Sequence, residues 1–258
     1  MDGTRVAKGL GMPLPVPIPS NSPSWLERGR HAASRLVEIL AGMSGVFVSK
    51  LTPTRALVTA LIVGAWLVLA LSGFRPTQAL VYGAFIALFA LRYVFLFFSF
   101  TPSGVAERLK RRFGPERGFA VYEAITAVFF AARSSSFAWL IDTTPLPLAP
   151  VTRDIVVGLG VICAIVGTVV NVWATSVVGL GTYYYGDLFM GEAPVNFKVE
   201  GPYRIWKNPM YGVGQLAAYG ASLMALSPLG LLASGLNQGT MYLFNWLVEQ
   251  PHLNRTTA

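Results

Sequence analysis

Residues 154–178 read DIVVGLGVICAIVGTVVNVWATSVV, and Asp154 is the only charged residue among them. A helix needs roughly 20 apolar residues to cross the hydrocarbon core of a membrane, which is about 30 Å thick. The stretch meets both the length and the apolar composition that such a helix requires. It therefore predicts a transmembrane helix over Asp154–Val178.

Five other apolar runs of similar length occur on the two sides of this helix. They predict helices at Arg55–Phe74, Thr77–Phe100, Phe119–Ile141, Pro209–Leu226 and Leu229–Val248. The last two runs are separated by the tight-turn signal Ser227-Pro228-Leu229-Gly230, which predicts a helical hairpin. We therefore expect an all-α polytopic membrane protein with about six transmembrane helices.

The positions of the basic residues support this division. Outside the predicted spans, the successive segments carry 7, 1, 5, 1, 3, 0 and 1 lysines and arginines, with Arg55 counted in the first segment. Cytoplasmic segments of membrane proteins carry an excess of these residues. The alternation places both termini and the two long loops, 101–118 and 179–208, on the cytoplasmic side.

Composition excludes several classes of protein. The chain of 258 residues is 53% hydrophobic and only 12% charged, whereas soluble domains are about 25% charged. With one cysteine and two histidines, neither an intramolecular disulfide nor a thiolate or histidine metal site is expected. The net charge of +8 indicates membrane topology and anionic lipids, so we expect no nucleic-acid partner.

The first 50 residues differ from the rest. Gly9–Ser24 is so rich in proline, glycine and serine that it cannot hold a helix. We predict a flexible, partly disordered cytoplasmic tail over residues 1–50, with one amphipathic surface helix over Ser24–Val48, and an integral membrane domain over residues 51–258.

The segment from Gly179 to Arg255 carries the residues that suggest chemistry. Gly179 and Gly181 follow the fourth predicted span, where they could serve helix packing or the close approach of a ligand to the backbone. Asn208 and Pro209 predict the start of the fifth helix. A helix start beside Arg204 and Lys207 would form a site for a carboxylate or phosphate.

Glu249 lies at the C-terminal end of an apolar helix, where the helix dipole disfavours a negative charge. This placement indicates a cationic partner, either a ligand ammonium or sulfonium or Arg204, although a solvated interfacial residue is the alternative. Aromatic residues are also dense nearby, and they could form an interfacial belt or a cation–π lining. They are Tyr183, Tyr184, Tyr185, Phe189, Phe197, Tyr203, Trp206 and Tyr211.

The polar residues inside the predicted spans include Arg92, Glu123, Arg133 and Asn171. Arg92 could extend its side chain towards the interface, and Glu123 and Arg133 could pair with groups on other helices. Asn171 could form a hydrogen bond between helices. Each of the four could instead line a path for lipid.

Several motifs together resemble those of the phospholipid N-methyltransferase family, over about Thr77–Pro251. The resemblance is to phosphatidylethanolamine and phosphatidyl-N-methylethanolamine methyltransferases, within a wider superfamily that includes isoprenylcysteine carboxyl methyltransferases and membrane sterol reductases. The matching motifs are Gly181-Thr182-Tyr183, Gly186-Asp187, Glu192-Ala193-Pro194-Val195, Asn208-Pro209-Met210-Tyr211, Ser227-Pro228-Leu229-Gly230-Leu231-Leu232 and Glu249-Gln250-Pro251, with a looser likeness at Arg108–Gly114.

The resemblance implies S-adenosylmethionine as the methyl donor. It implies cofactor contacts from a small glycine motif, which we map to Gly179, Leu180 and Gly181, with the region around Gly167 as the competing position. It also implies contacts from an acidic pair after the last helix, which is Glu249-Gln250 in this chain, so that an amide replaces the second acid.

The resemblance further implies methylation of the amine headgroup of phosphatidylethanolamine, or of its mono- and dimethyl derivatives, towards phosphatidylcholine. Glu249 and Tyr211 are the candidate catalytic residues, and Arg204 and Asn208 would hold the cofactor carboxylate or the lipid phosphate. An endoplasmic reticulum membrane, with the site on its cytoplasmic face, is favoured over a bacterial inner membrane. The alternatives are an isoprenylcysteine carboxyl methyltransferase or another membrane methyltransferase, a membrane reductase, or a helical scaffold without catalysis.

Overall fold

The computed structural model describes residues 25–143, 145–191 and 200–252. The chain divides into two compact units, residues 1–34 and 35–258. Within the first unit, the described residues form the first half of helix α1, Trp25–Met43, which matches the helix predicted near Ser24–Val48. The predicted flexible segment before it lies outside the described residues, and the division at residue 50 stays a prediction.

The larger unit contains four long apolar helices: α2 (Pro53–Leu71), α3 (Gln78–Ser99), α5 (Pro115–Asp142) and α6 (Pro150–Tyr183). Each is long and apolar enough to cross a membrane, with α6 counted together with the short α7, Gly186–Met190. Many of their leucine, isoleucine and valine side chains are exposed, as expected for surfaces that face lipid. The first four predicted spans are confirmed as helices of spanning length.

The basic loop between α3 and α5 contains a helix that the sequence did not indicate. Helix α4, Val105–Phe113, ends at Gly114, whose φ of 78° lies in the left-handed region that favours glycine. Its acidic residue, Glu107, is in the first turn and its basic residues are in the last turn. The helix dipole favours this arrangement of charges. The predicted loop 101–118 is therefore partly helical.

The predicted fifth helix is wrong in its start and length. Residues 209–212 form turns, Val213–Gln215 is a short 3₁₀ segment, and helix α8 covers only Leu216–Met224. The backbone N–H of Gly214 bonds the Pro209 carbonyl, and the Asn171 amide donates to the Gly214 carbonyl at 3.1 Å. These contacts hold the segment against α6 in a non-helical path.

Nine residues rise about 14 Å in an α-helix, which is less than half of the hydrocarbon thickness. Helix α8 alone therefore does not span a membrane, and the structure supports four spanning helices by length and composition. The predicted count of six is not confirmed.

Helices α8 and α9 (Pro228–Phe244) form the predicted hairpin. Ser227 caps α9 by accepting a hydrogen bond from the Gly230 N–H. The hydroxyls of Ser222 and Ser234 are 3.3 Å apart, and the hydroxyl of Tyr219 donates to Gln238 Oε1 at 2.8 Å. A π-helical turn over Asn245–Glu249 extends α9.

Small residues let α6 and α8 pack closely. A Cβ atom at Gly160 would lie 2.8 Å from the Met224 backbone nitrogen, and one at Gly167 would lie 2.0 Å from the Ala217 backbone nitrogen. Such contacts between small residues are common where membrane helices cross. Gly160 and Gly167 therefore both serve packing, and Gly167 is the position that competes with Gly179–Gly181 for the cofactor motif.

An ion pair joins α2 to α5. The Arg55 guanidinium donates to both oxygens of Glu123, at 2.8 Å and 2.7 Å. The Glu123 side chain is 2% exposed, so this bidentate pair compensates a charge that would otherwise be strongly unfavourable. The prediction that Glu123 pairs with another helix is confirmed.

Candidate active site

A break in helix α6 shapes one wall of the site. Gly179 has φ 85° and ψ 161° inside the helical run, a conformation that glycine adopts far more readily than other residues. The break interrupts the helix just before its last turn. Val178 and Thr182, on either side of the break, line a cavity of about 170 Å³, which we call the carboxylate cavity.

Two other parts of the chain complete the carboxylate cavity. One is the irregular segment before α8, which contributes Tyr203, Lys207, Asn208 and residues 209–211. The other is the helical C-terminal end, which contributes Asn245, Glu249, Gln250 and His252. Because the segment before α8 is not α-helical, its side chains can converge on the end of α9.

Glu249 is the acidic group at the centre of this arrangement. The hydroxyl of Tyr211 donates to its Oε1, and the amide of Asn245 donates to its Oε2, both at 2.5 Å. Among the described residues, no lysine or arginine lies within ion-pair distance of Glu249. Of the two partners expected for Glu249, Arg204 is therefore not paired with it in the described part of the chain.

The surroundings of Glu249 disfavour its ionisation. Burial raises the pKa of the Glu249 carboxyl above its ordinary value of 4.5, while the hydrogen bonds from Tyr211 and Asn245 act in the opposite direction. A carboxylate with a raised pKa is a stronger proton acceptor near neutral pH. The geometry therefore suits Glu249 to electrostatic binding of a cation or to general-base chemistry.

Asn245 links the polar residues of the carboxylate cavity. Its side-chain oxygen accepts hydrogen bonds from Asn208 at 3.3 Å and from Gln250 at 3.2 Å, while its nitrogen donates to Glu249. The amide of Gln250 is needed as a donor in this network, since a carboxylate could not donate to the Asn245 oxygen. This network gives a structural reason for glutamine at the position where the resemblance implies a second acid.

Two tyrosines stand beside the carboxylate. Burial and the negative charge of Glu249 raise the pKa of Tyr203 to about 12, and the same causes raise the pKa of Tyr211 well above its usual value. Both phenols are therefore protonated at neutral pH. They can present hydroxyl groups and aromatic faces to a ligand.

The structure brings together four of the predicted site residues. Asn208, Tyr211, Glu249 and Gln250 all line the carboxylate cavity. Leu180, Gly181 and Arg204 do not line the cavity. Gly181 and Arg204 are exposed. The Leu180 side chain packs against Gly42, where an added Cβ atom would lie 2.7 Å from it. Gly179 acts through its backbone conformation, which positions its neighbours.

Other lining residues were not predicted as site residues. Asn245 is a polar residue four positions before Glu249 on one helix, and this spacing was a signal that the two side chains are neighbours. Tyr185 and His252 also line the cavity. Thr182 donates to Asp187 at 2.9 Å at the cavity wall. The motif Glu192-Ala193-Pro194-Val195 lies outside the described residues.

A second cavity, of about 360 Å³, adjoins the first. The two share four lining residues, namely Thr182, Tyr185, Met210 and Tyr211. Two arginines, Arg92 and Arg133, line the second cavity, which we call the guanidinium cavity. Asn171 lines it as well, so Arg92, Arg133 and Asn171, which the sequence places within spans, surround one internal space.

Comparison with known proteins identifies the C-terminal part of the chain. Residues 155–256 match the phospholipid methyltransferase family. A phosphatidylethanolamine N-methyltransferase of Kluyveromyces lactis is 34% identical over 99 residues, which cover 38% of this chain and 12% of that relative. The Saccharomyces cerevisiae protein of the same name is 36% identical over 99 residues, covering 38% of this chain and 11% of that protein.

A third relative of the same name, from Yarrowia lipolytica, is 33% identical over 90 residues, which cover 33% of this chain and 9% of that relative. The chain thus corresponds to about a tenth of the length of these relatives. No solved structure matches the chain significantly. The matched segment contains Tyr211, Asn245 and Glu249, which meet in the carboxylate cavity. The resemblance found from the motifs is confirmed for residues 155–256, which match the phospholipid methyltransferase family.

Proposed function

We propose that this chain is a membrane methyltransferase that uses S-adenosylmethionine to methylate the amine headgroup of phosphatidylethanolamine or of its mono- and dimethyl derivatives, towards phosphatidylcholine. The observation that carries the proposal is the carboxylate of Glu249. It is held by Tyr211 and Asn245, has no basic partner among the described residues, and lies in the segment that matches the family.

The residues of the carboxylate cavity fit a cofactor that carries positive charge. The unpaired carboxylate of Glu249 suits an ammonium or a sulfonium. The rings of Tyr185, Tyr203 and Tyr211 offer aromatic faces to such cations. When bound, S-adenosylmethionine supplies an electrophilic methyl group. Asn208 and Gln250 add neutral hydrogen-bonding groups, and Lys207 adds a cation for a carboxylate.

Methyl transfer to an amine requires a lone pair, so a protonated headgroup must first lose a proton. The raised pKa of Glu249 makes this carboxylate a suitable acceptor. Tyr211 lines both cavities and donates its hydroxyl proton to Glu249. The lone pairs of its oxygen can accept a proton from an amine as its own proton passes to Glu249. We infer that Tyr211 relays the proton between the two cavities.

The aromatic wall also accounts for repeated methylation. Each methyl group enlarges the headgroup cation and removes an N–H donor, which weakens any hydrogen-bonded site. The aromatic faces of Tyr185 and Tyr211 interact with a cation without needing an N–H group. A wall of this kind accepts the mono- and dimethyl lipids as well as the unmethylated one.

We also propose that six helices are embedded in the membrane and that the carboxylate cavity opens towards the cytoplasm. Helix α9 and the helical residues that follow it up to Val248 are together 21 residues long, which is enough to cross, and Glu249 follows at the end of this span. Helix α8 would lie within the membrane as the shorter arm of the hairpin. The charge alternation supports this orientation, and the endoplasmic reticulum is the membrane that we favour.

The test uses purified full-length protein in an uncharged detergent, S-adenosylmethionine labelled on its methyl group, and phosphatidylethanolamine or its mono- or dimethyl form. We expect label in lipid, with a fall of about 100-fold or more in Glu249→Gln, since general-base groups contribute about this much. Glu116→Gln is the matched control, because Glu116 is an exposed acid on α5.

Full transfer by Glu249→Gln would remove Glu249 from the mechanism. Cofactor binding without transfer to any of the three lipids would favour another acceptor, as in an isoprenylcysteine carboxyl methyltransferase. Absence of cofactor binding would favour a reductase or a scaffold.

A further inference from the structure

The guanidinium cavity contains a concentration of positive charge that the proposed chemistry does not use. Arg92 lies on α3, seven residues before its end at Ser99, and Arg133 lies on α5. Seven residues correspond to about 10 Å of helix, so Arg92 lies well inside a spanning segment. Arg92 is 4% exposed, which contradicts the expectation that its side chain extends to the interface.

The two arginines share one neutral acceptor. Nη1 of Arg92 and Nη1 of Arg133 donate to Oδ1 of Asn237, at 3.3 Å and 3.2 Å. The hydroxyl of Tyr93 donates to the same oxygen at 2.9 Å. The Tyr93 hydroxyl also reaches the Asn237 backbone carbonyl at 3.2 Å, whereas both guanidinium groups share the one side-chain oxygen.

One further donor of each arginine has no acceptor in the described part of the chain. Nε of Arg92 and Nε of Arg133 are buried without a hydrogen-bond partner among the described residues. The guanidinium of Arg92 also lies 4.8 Å from the ring centre of Phe130 and 5.0 Å from that of Tyr93. These aromatic contacts offset part of the charge but leave the Nε–H groups unsatisfied.

No acid compensates this charge within the described residues. The ion pairs found there are Arg55 with Glu123 and Lys110 with Glu107, and no acidic residue of the described part lines the guanidinium cavity. Two cations in one internal space without an anion are strongly unfavourable. Excess donors and excess positive charge together indicate that an anion rich in acceptor oxygens belongs in this cavity.

We propose that Arg92 and Arg133 bind the phosphate group of a phospholipid headgroup inside the guanidinium cavity. Guanidinium groups match phosphate oxygens in charge and in hydrogen-bond geometry. The position of the cavity within the spanning helices favours a lipid over a free ion as the source of the phosphate. Both arginines lie outside residues 155–256, the segment that matches the family.

This inference deepens the proposed function, because the shared wall at Tyr185 and Tyr211 directs the amine of the same lipid towards Glu249. The binding itself does not depend on methyl transfer. It can therefore be measured without a methyl donor, and the two proposals can fail independently.

The test measures binding of phosphatidylethanolamine to the full-length protein in an uncharged, phosphate-free detergent. The variants are Arg92→Met, Arg133→Met and the two arginine-to-lysine changes, and Arg117→Gln, an exposed arginine on α5, is the control. Each methionine change is expected to weaken binding roughly 10- to 100-fold, since hydrogen bonds to charged groups contribute this much. The lysine variants should bind more tightly than the methionine variants, and the control should bind as the unchanged protein does.

Two further arms identify the ligand and the role of the arginines. Diacylglycerol, which lacks phosphate, should not bind measurably, and inorganic phosphate should bind far more weakly than the phospholipid. Without lipid, the methionine variants should melt at the same or a higher temperature than the unchanged protein, because an uncompensated charge has been removed. The measurement is repeated with S-adenosylhomocysteine, whose binding should not change in these variants.

Several results would overturn the proposal. Unchanged phosphatidylethanolamine binding in both methionine variants would exclude these arginines. Equal binding of diacylglycerol would exclude a phosphate site, and equal binding of inorganic phosphate would exclude the lipid as its source. A lower melting temperature or loss of folding in the lipid-free methionine variants would show that the arginines are structural. If the unchanged protein binds phosphatidylethanolamine through these arginines but transfers no methyl group to it, the proposed function fails and the phosphate site stands.

Discussion

The carboxylate cavity and the guanidinium cavity adjoin each other but carry opposite charges. The first contains Glu249 without a basic partner among the described residues, and the second contains Arg92 and Arg133 without an acidic one. Elsewhere in the described chain, the protein pairs its interior charge, as Arg55 does with Glu123. Unpaired charges of opposite sign on either side of one wall are the pattern expected for a zwitterionic ligand, with its phosphate at the arginines and its amine towards the glutamate.

The largest effect is expected at Tyr211, which lies in the wall shared by the two cavities. Changing Tyr211→Phe removes the hydroxyl that donates to Glu249 and keeps the aromatic face. We expect the rate of methyl transfer at saturating lipid to fall about 100-fold, with the half-saturating lipid concentration little changed. Steady-state kinetics with labelled cofactor measures both quantities.

Tyr242→Phe is the matched control for this change, because Tyr242 is 43% exposed and its ring packs edge-on near that of Tyr211. A normal rate in Tyr211→Phe would contradict a proton relay through this hydroxyl. A normal rate combined with weaker lipid binding would assign Tyr211 to binding alone.

The pH dependence of cofactor affinity tests whether the carboxylate of Glu249 meets a cation. The pKa of Glu249 is raised above 4.5 by burial, and a bound cation favours the ionised form. Affinity for S-adenosylmethionine should therefore be full above the raised pKa and should fall as pH drops through it, by about tenfold per pH unit at the steepest. Calorimetric titrations over a pH series measure this slope.

Glu249→Gln should lack this pH dependence, apart from any contribution of the ligand's own groups. The same slope in both proteins would show that Glu249 does not meet the cation. Tyr203 should not contribute near neutral pH, because its pKa is raised to about 12.

The smallest effect is expected at Gln250, which donates to the Asn245 oxygen at 3.2 Å. In Gln250→Glu, the carboxylate cannot donate and repels that oxygen, which weakens the hold of Asn245 on Glu249. We expect cofactor affinity to fall by about two- to tenfold, the contribution of one hydrogen bond. Tighter binding in equilibrium titrations would instead mean that the carboxylate cavity accepts a second acid, as the resemblance implies for the family.

The sequence predicts the long helices well because their signal is local. Runs of about 20 apolar residues have no stable alternative to a helix in lipid, and α2, α3, α5 and α6 all appear where hydropathy indicates them. The start of the fifth helix could not be predicted in this way. Asn208-Pro209 is a strong local signal for a helix start, but the contact of Gly214 with Asn171 overrides it from 43 residues away.

The site residues likewise fall into two groups, those that local sequence features indicate and those that only the fold brings together. Glu249 and Tyr211 could be selected from the sequence, because an acid at the end of an apolar helix and a tyrosine in a family motif are local features. The grouping of Arg92 with Arg133 and Asn237 depends on separations of 104 to 145 residues, and no sequence pattern brings these residues together. The prediction that Gly179 binds the cofactor stays a prediction, and the structure shows that its backbone conformation breaks α6 between Val178 and Thr182, which line the cavity.

A cryo-electron microscopy structure of the full-length protein with phosphatidylethanolamine and S-adenosylhomocysteine tests the central claim most directly. The account predicts that the lipid phosphate lies between Arg92 and Arg133, that its amine lies at the wall formed by Tyr185 and Tyr211, and that the cofactor product contacts Glu249. A headgroup bound outside the guanidinium cavity, with its phosphate at Arg204 or Asn208 instead, would contradict it.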